Sequence, residues 1–233
     1  STAVGCAHLV LGNDAEFRLQ PIDEPALALL PLFVVFGLLT GCLGALYNSL
    51  VLWFLDRVTA VRRVPAVAKA TIIGALIGLV MIVHPQAVGG GESLTQMLRG
   101  GARFALAGIV GYLVLRFLAG PLSYAAPVVG GLFAPLLAVG ALWGVLFVAA
   151  IDTVWPGDAT SLAVPMAVVG MAAFFGATVR APLTGMVLVI EMTASTAVLV
   201  PMLAATGAAV LAAYLIGSPP IYDSLRQRSL SKT

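Results

Sequence analysis

The apolar runs of this chain are uneven, and that unevenness limits its fold more than any other feature. Residues 26–55, "ALALLPLFVVFGLLTGCLGALYNSLVLWFL", are long enough to cross a bilayer with tilt, since a span takes about 20 residues. The other apolar runs cover 70–83, 102–119, 131–151, 159–179, 182–193 and 194–217. Several of them are too short to span, or carry Gly and Pro where membrane depth is expected. Irregular backbone at that depth survives only where protein or a water-filled cavity covers it. Broken helices of this kind are how transporters build an ion site near the midplane. The pattern predicts an all-α integral membrane protein, and composition agrees. The 233 residues are 61% hydrophobic and 9% charged, against roughly 25% charged in ordinary soluble domains.

The few charges set orientation. Arg57, Arg62, Arg63 and Lys69 crowd one loop against Asp56 alone, and the tail holds Arg226, Arg228 and Lys232. The positive-inside rule sends both to the cytoplasm and the acidic stretch 14–24 to the outside. One helix between residues 24 and 57 satisfies both assignments. A net charge of +2 is too small to suggest a nucleic-acid partner. Cys6 and Cys42 lie in apolar stretches, so neither a metal site nor a disulfide is indicated. The chain starts with Ser inside an apolar fragment, residues 1–12, too short to span and lacking a basic n-region. The expectation is the back part of something longer, not a signal peptide.

"PVVGGLFAPLLAVGALWG", from Pro127, opens a long apolar run on bare glycines. A helix N-terminus leaves backbone N–H groups unpaired and carries about +0.5 charge from the summed peptide dipoles. Glycines let an anion approach those amides closely. Pro135 sits in the first turn, where its missing N–H does no harm. The stretch can thus form a neutral, modest anion site, suited to an ion that must leave again. A packing or hinge role is the blander alternative for Gly-Gly before an apolar helix.

Tyr222, in "SPPIYDSL", reads either as an aromatic-belt tyrosine or as a phenol donor facing an anion. Arg180 and Glu191 bound "RAPLTGMVLVIE". A central charge costs about 2.5–3.5 kcal/mol on insertion scales, so pairing or snorkelling is expected for both. His8 and His84 flank apolar runs as interfacial residues. Gly37, Gly41, Gly44, Gly207, Ala208, Ala212 and Ala213 suit close helix packing.

Three stretches, "GGLFAPLLAVGALWG", "GATVRAPLTGMVLVIEMT" and "PPIYDSL", together resemble the CLC family of chloride channels and transporters in order and approximate spacing. "GGGES" at 89–93 is similar to a glycine-rich loop of that family. The resemblance covers essentially the whole chain but only the second half of a CLC membrane domain. It implies one of two inverted-topology repeats of tilted, broken and re-entrant helices, in a homodimer with one pore per subunit. By the same likeness, Gly130 and Gly131 would open the site, and the Leu132 and Phe133 amides would face a central chloride. The Tyr222 hydroxyl would donate to the same ion, and helices 182–193 and 196–217, with Leu188, Glu191 and Leu199, would lie at the dimer interface. No cofactor is implied, because chloride is the substrate.

The likeness has departures. Ala125, Ala126 and Pro127 stand where the family has small flexible residues and Gly, and Val129 replaces a proline. The family's serine motif and gating-glutamate motif do not occur in this sequence. The reading is therefore an anion channel or chloride/proton exchanger of the multi-pass membrane class, with residues 1–12 as the end of a preceding helix. Residues 221–233 would form a cytoplasmic tail, and a first-half polypeptide is a further possible partner. The alternatives are a structural half-domain without its own pathway and a different broken-helix transporter. No catalytic cluster supports an enzyme, and "GGGES" lacks the Lys-Ser/Thr ending of a phosphate loop.

Overall fold

The computed structural model describes residues 25–61, 63–83, 106–128, 130–154 and 159–230. The expectations for residues 1–12, the acidic stretch 14–24, Cys6, His8, His84 and the glycines at 89–91 lie outside these. Among the described residues there is no strand, and eight α-helices follow one another. They are α1 (Leu30–Ala60), α2 (Ala66–Val83), α3 (Leu106–Ala125), α4 (Phe133–Val154), α5 (Ala163–Val179), α6 (Pro182–Thr193), α7 (Leu199–Leu215) and α8 (Ile221–Leu230).

The unevenness of the apolar runs carries through. Among the described residues three helices, over Leu27–Ala60, Leu106–Ala125 and Phe133–Thr153, are long and apolar enough to cross a membrane. α5, α6 and α7 are apolar but have only 17, 12 and 17 residues. At 1.5 Å rise per residue, a helix as short as α6 reaches about 18 Å, well under the hydrocarbon thickness of about 30 Å.

Several boundaries differ from the sequence expectation. α1 runs on through Asp56 and Arg57 to Ala60, because a charged stretch at a helix end still has helical propensity and solvent access. The break expected over 119–131 is shorter. α3 continues to Ala125 with Pro121 inside it. The proline costs α3 the single i→i−4 bond its own N–H would have made, and the helix continues past it. The last apolar run, 194–217, becomes helical later than its first residue. Ala194 takes a left-handed φ of 50° that ends α6, and α7 starts only at Leu199.

α5 is the centre of the packing. All fourteen residues from Pro165 to Thr178 are buried. α4 crosses it at glycines: a Cβ on Gly140 would meet the Gly170 carbonyl, and a Cβ on Gly170 would meet that of Gly140. On the other side, Gly37 and Gly41 of α1 approach the α7 backbone at Ala205 and Ala209. Close backbone approach is the main source of helix association where apolar surface gains nothing from leaving lipid. Gly44 packs on Ala177, as the small-residue expectation requires. Gly207 does not: nothing lies within 4 Å of where its Cβ would stand. It sits on the outer face of α7 with exposed Leu203 and Leu211, while Ala205, Ala209, Ala212 and Ala213 face inward.

At one end of the molecule, Arg228 of α8 makes a two-pronged pair with Asp56 of α1, at 2.6 and 2.9 Å. The two basic segments therefore meet at the same end. A polar link also lies within the apolar bundle. Trp143 donates to the Thr40 hydroxyl at 2.9 Å, and Thr40 donates to the Phe36 carbonyl at 2.7 Å.

The glycine contact makes a testable distinction. Ala is the better helix former by about 1 kcal/mol. Gly74→Ala, at a position with open space, should leave thermal unfolding in detergent unchanged or slightly raised. Gly140→Ala should lower the midpoint by an overpacking cost of about 1–3 kcal/mol.

Candidate anion site at a helix start

α4 opens on a run without side-chain caps. Its first turn is Phe133, Ala134, Pro135 and Leu136, with no acidic residue. The Leu132 carbonyl accepts the first helical bond, from the Leu136 amide at 3.0 Å. The earliest amides of a helix have no partner within it, and among the described residues no side chain is hydrogen-bonded to those of Gly130 to Phe133. Gly130 and Gly131 are exposed, with nothing within 4 Å of either Cβ position. The next two side chains turn the other way. Leu132 is 1% exposed, and the Phe133 ring packs edge-on against Phe175 of α5 at 5.6 Å. Core packing anchors the run while its glycine side stays open.

The approach to this start is a tight turn. Ala126 donates to Ser123, and Val128 donates to Ala126 at 2.7 Å across Pro127. A bond from i+2 back to i is an inverse γ-turn, whose central φ of about −75° is close to what proline imposes. Pro127, at a position where the resemblance calls for a flexible residue, is compatible with the turn because it fixes the dihedral the turn needs.

Tyr222 is placed by a separate set of bonds. α7 ends in a two-bond cap: Ser218 donates to Ala213 at 3.1 Å and Gly217 to Tyr214 at 2.9 Å. Gly217 takes φ +75°, the left-handed position this cap requires. Arg180 ends α5 with φ 63°. Its guanidinium donates to the Ser218 carbonyl at 2.7 Å and lies over the Tyr214 ring at 5.8 Å. Asn48, 2% exposed in the middle of α1, donates to both the Thr178 and Pro219 carbonyls at 3.1 Å. These bonds hold the turn just ahead of α8, where Ile221 is buried and Tyr222 is 43% exposed.

The structure brings Tyr222 beside Tyr124, at the end of α3. Partial burial raises the Tyr222 phenol above its ordinary value of 10.0, and the neighbouring Tyr124 adds to the rise. Among the described residues, no hydrogen bond joins Tyr222 to the residues from Gly130 to Phe133. Arg180 is structural, as expected from its position. Glu191 is exposed on α6, Leu188 is half-buried, and Leu199 is 45% exposed at the start of α7. Sequence reasoning passed over Tyr124 and Asn48. Asn48 carried a usable signal, an amide inside an apolar helix; Tyr124 carried none.

The chain matches the family model described as "Voltage gated chloride channel" over residues 1–214. It is similar to the H(+)/Cl(-) exchange transporter ClcA of Vibrio parahaemolyticus, with 35% identity over 94% of this chain and 47% of that protein. It is also similar to the protein of that name from Klebsiella pneumoniae, with 34% identity over 95% of this chain and 47% of that one. The chain thus spans about half the length of the curated relatives it matches. Its fold is similar to that of a slow cyanobacterial Cl-/H+ antiporter, with a TM-score of 0.85 and 28% identity over 99% of this chain and 54% of that one. A eukaryotic CLC transporter shares the fold at a TM-score of 0.72, 23% identical over 87% of this chain and 35% of that one.

The tyrosine pair predicts an alkaline titration. The folded state holds the Tyr222 proton more tightly than the unfolded chain, so its contribution to stability is complete below 10.0 and falls as pH rises through the raised value. The 295 nm absorbance step of Tyr222, identified by difference from Tyr222→Phe, should come later than that of free tyrosine. Tyr124→Phe should move it back toward the ordinary value, and no movement would count against the pairing.

Proposed function

Because the chain belongs to the voltage gated chloride channel family, we propose that it forms part of a transmembrane chloride pathway, as a channel or chloride/proton exchanger. The anion is held by the Leu132 and Phe133 amides, reached past Gly130 and Gly131, and by the Tyr222 hydroxyl. The observation that carries this reading is the uncapped start of α4, open on its glycine side and anchored by Leu132 and Phe133. Neutral donors suit transport, because a site that must release its ion cannot hold it as a lysine or arginine would. The raised Tyr222 phenol supports the same role: a protonated hydroxyl donates, whereas a phenolate would repel the anion.

The chain corresponds, in this reading, to the second inverted repeat of the membrane domain. The exposed apolar residues Leu183 and Val187 of α6 and Leu199, Val200 and Leu203 of α7 support a homodimer seam there, with Leu188 and Glu191 beside it. The joined basic ends of α1 and α8 support a cytoplasmic C-terminus in a cell membrane. The proposed activity is transport and not catalysis, with chloride as cargo and no cofactor.

Chloride-loaded liposomes carrying this chain, with valinomycin to relieve voltage, test the assignment. Release should fall on Tyr222→Ala. In a binding measurement, Tyr222→Phe should weaken chloride by about fivefold, the loss of one hydrogen bond of about 1 kcal/mol. Unchanged flux and binding in both variants would remove Tyr222 from the site.

A further inference from the structure

The middle of α1 holds a tyrosine whose hydroxyl has no partner. Tyr47 is fully buried. Its ring sits edge-on between Phe117 of α3, at 5.1 Å, and Phe174 of α5, at 5.5 Å. That slot is aromatic and would take phenylalanine equally well. Among the described residues, the Tyr47 hydroxyl makes no hydrogen bond. A buried polar group left unpaired costs about 1–3 kcal/mol, so the oxygen needs a reason to be there.

Its surroundings place it at the seam between α3 and the start of α4. The hydroxyl rests against Gly120 of α3. The point where a Cβ on Gly120 would stand meets this oxygen, and lies 3.6 Å from the Cβ of Pro135. Pro135 is in the first turn of α4, the turn led by Gly130, Gly131 and Leu132, none of which has a side chain that could cap it. Only because position 120 has no side chain can the hydroxyl reach this seam. One residue further on, Asn48 ties α1 to Pro219, three residues ahead of Tyr222. Adjacent residues of α1 thus touch both halves of the proposed site: Tyr47 at the seam with the α4 start, Asn48 at the turn ahead of Tyr222.

We infer that Tyr47 is a further anion-binding residue, donating its buried hydroxyl to a halide-sized monovalent anion at the start of α4. The inference rests on the anion-site reading above. The amides at the start of α4 are donors, so they cannot receive the phenol proton. An anion accepts from the amides and the phenol together. The ring contacts with Phe117 and Phe174 fix where the oxygen stands, so the donor is positioned before the ion arrives.

Tyr47→Phe keeps the ring and removes only the hydroxyl. It should weaken chloride binding to this chain in lipid nanodiscs by about fivefold in titration calorimetry, the effect of one lost donor. It should also shrink the rise in thermal midpoint when chloride replaces gluconate. The midpoint in gluconate itself should stay level or rise, because an unpaired hydroxyl has gone. Tyr222→Phe is measured alongside. If Tyr222→Phe weakens chloride and Tyr47→Phe does not, the inference is overturned and the anion-site reading stands. If neither variant changes chloride binding, both are overturned. A control isolates the geometry: Gly120→Ala should destabilise the Tyr47 protein, and Tyr47→Phe should relieve that loss, since the ring's Cζ lies at an ordinary 3.5 Å from the new Cβ. Failure of this rescue would place the hydroxyl elsewhere and overturn the inference.

Discussion

A helix that begins inside an apolar body has amides it cannot pair by itself, and the rest of this structure is arranged around one such beginning. In most helices a serine, threonine or aspartate caps the first turn. α4 instead starts on Gly130, Gly131, Leu132 and Phe133, with proline two residues beyond. The unpaired amides and the helix dipole make this spot locally positive without any charged side chain. That polarity survives only if the surrounding protein keeps the run in place and keeps competing groups away. Leu132 and Phe133 do the first by packing inward against the core around α5.

The same economy of side chains appears in the packing that supports it. α4 meets α5 glycine to glycine, and α1 meets α7 through glycines and alanines. Backbones so close leave little room for relative sliding, which fixes the height of the α4 start relative to α1 and α5. The turn before α8 is fixed differently, by polar groups. Asn48, Arg180 and the capped end of α7 all bond to carbonyls or amides between residues 178 and 219. Tyr222 follows that turn directly. Backbone contacts thus set the amide side of the proposed site, and side-chain hydrogen bonds set the phenol side.

Much of this was legible in the sequence for definite reasons. The uneven apolar runs foretold broken helices, because run length converts to helix length at a constant rise. The end of α5 at Arg180 and the extent of α6 were readable from the Pro182 that starts the new helix and the charge before it. The glycines of "GGLFAP" marked the α4 start. Other boundaries were not readable. Pro121 looked like a helix breaker, yet α3 passes through it. Gly207 looked like Gly44, yet within this chain no described residue meets it. Whether a small residue meets another helix depends on which side of its own helix is covered, and apolar residues on every side hide that phase.

By itself the sequence determined the class of the protein and the chemistry of the helix start, because both follow from local composition: apolar runs require helices in a bilayer, and uncapped glycine-led helices expose amides. Only the tertiary structure decided that Tyr124 stands beside Tyr222 and that the Tyr47 hydroxyl rests at the seam of α3 and α4. Tyr47, Tyr124 and Tyr222 are 77 and 98 residues apart in order along the chain, and nothing local marks them as neighbours of one region. The crossing of α1, α3 and α5 positions Tyr47, and the polar turn before α8 positions Tyr222. The physical reason is that helix packing, unlike helix formation, is set by long-range contacts between faces whose patterns the apolar sequence does not distinguish.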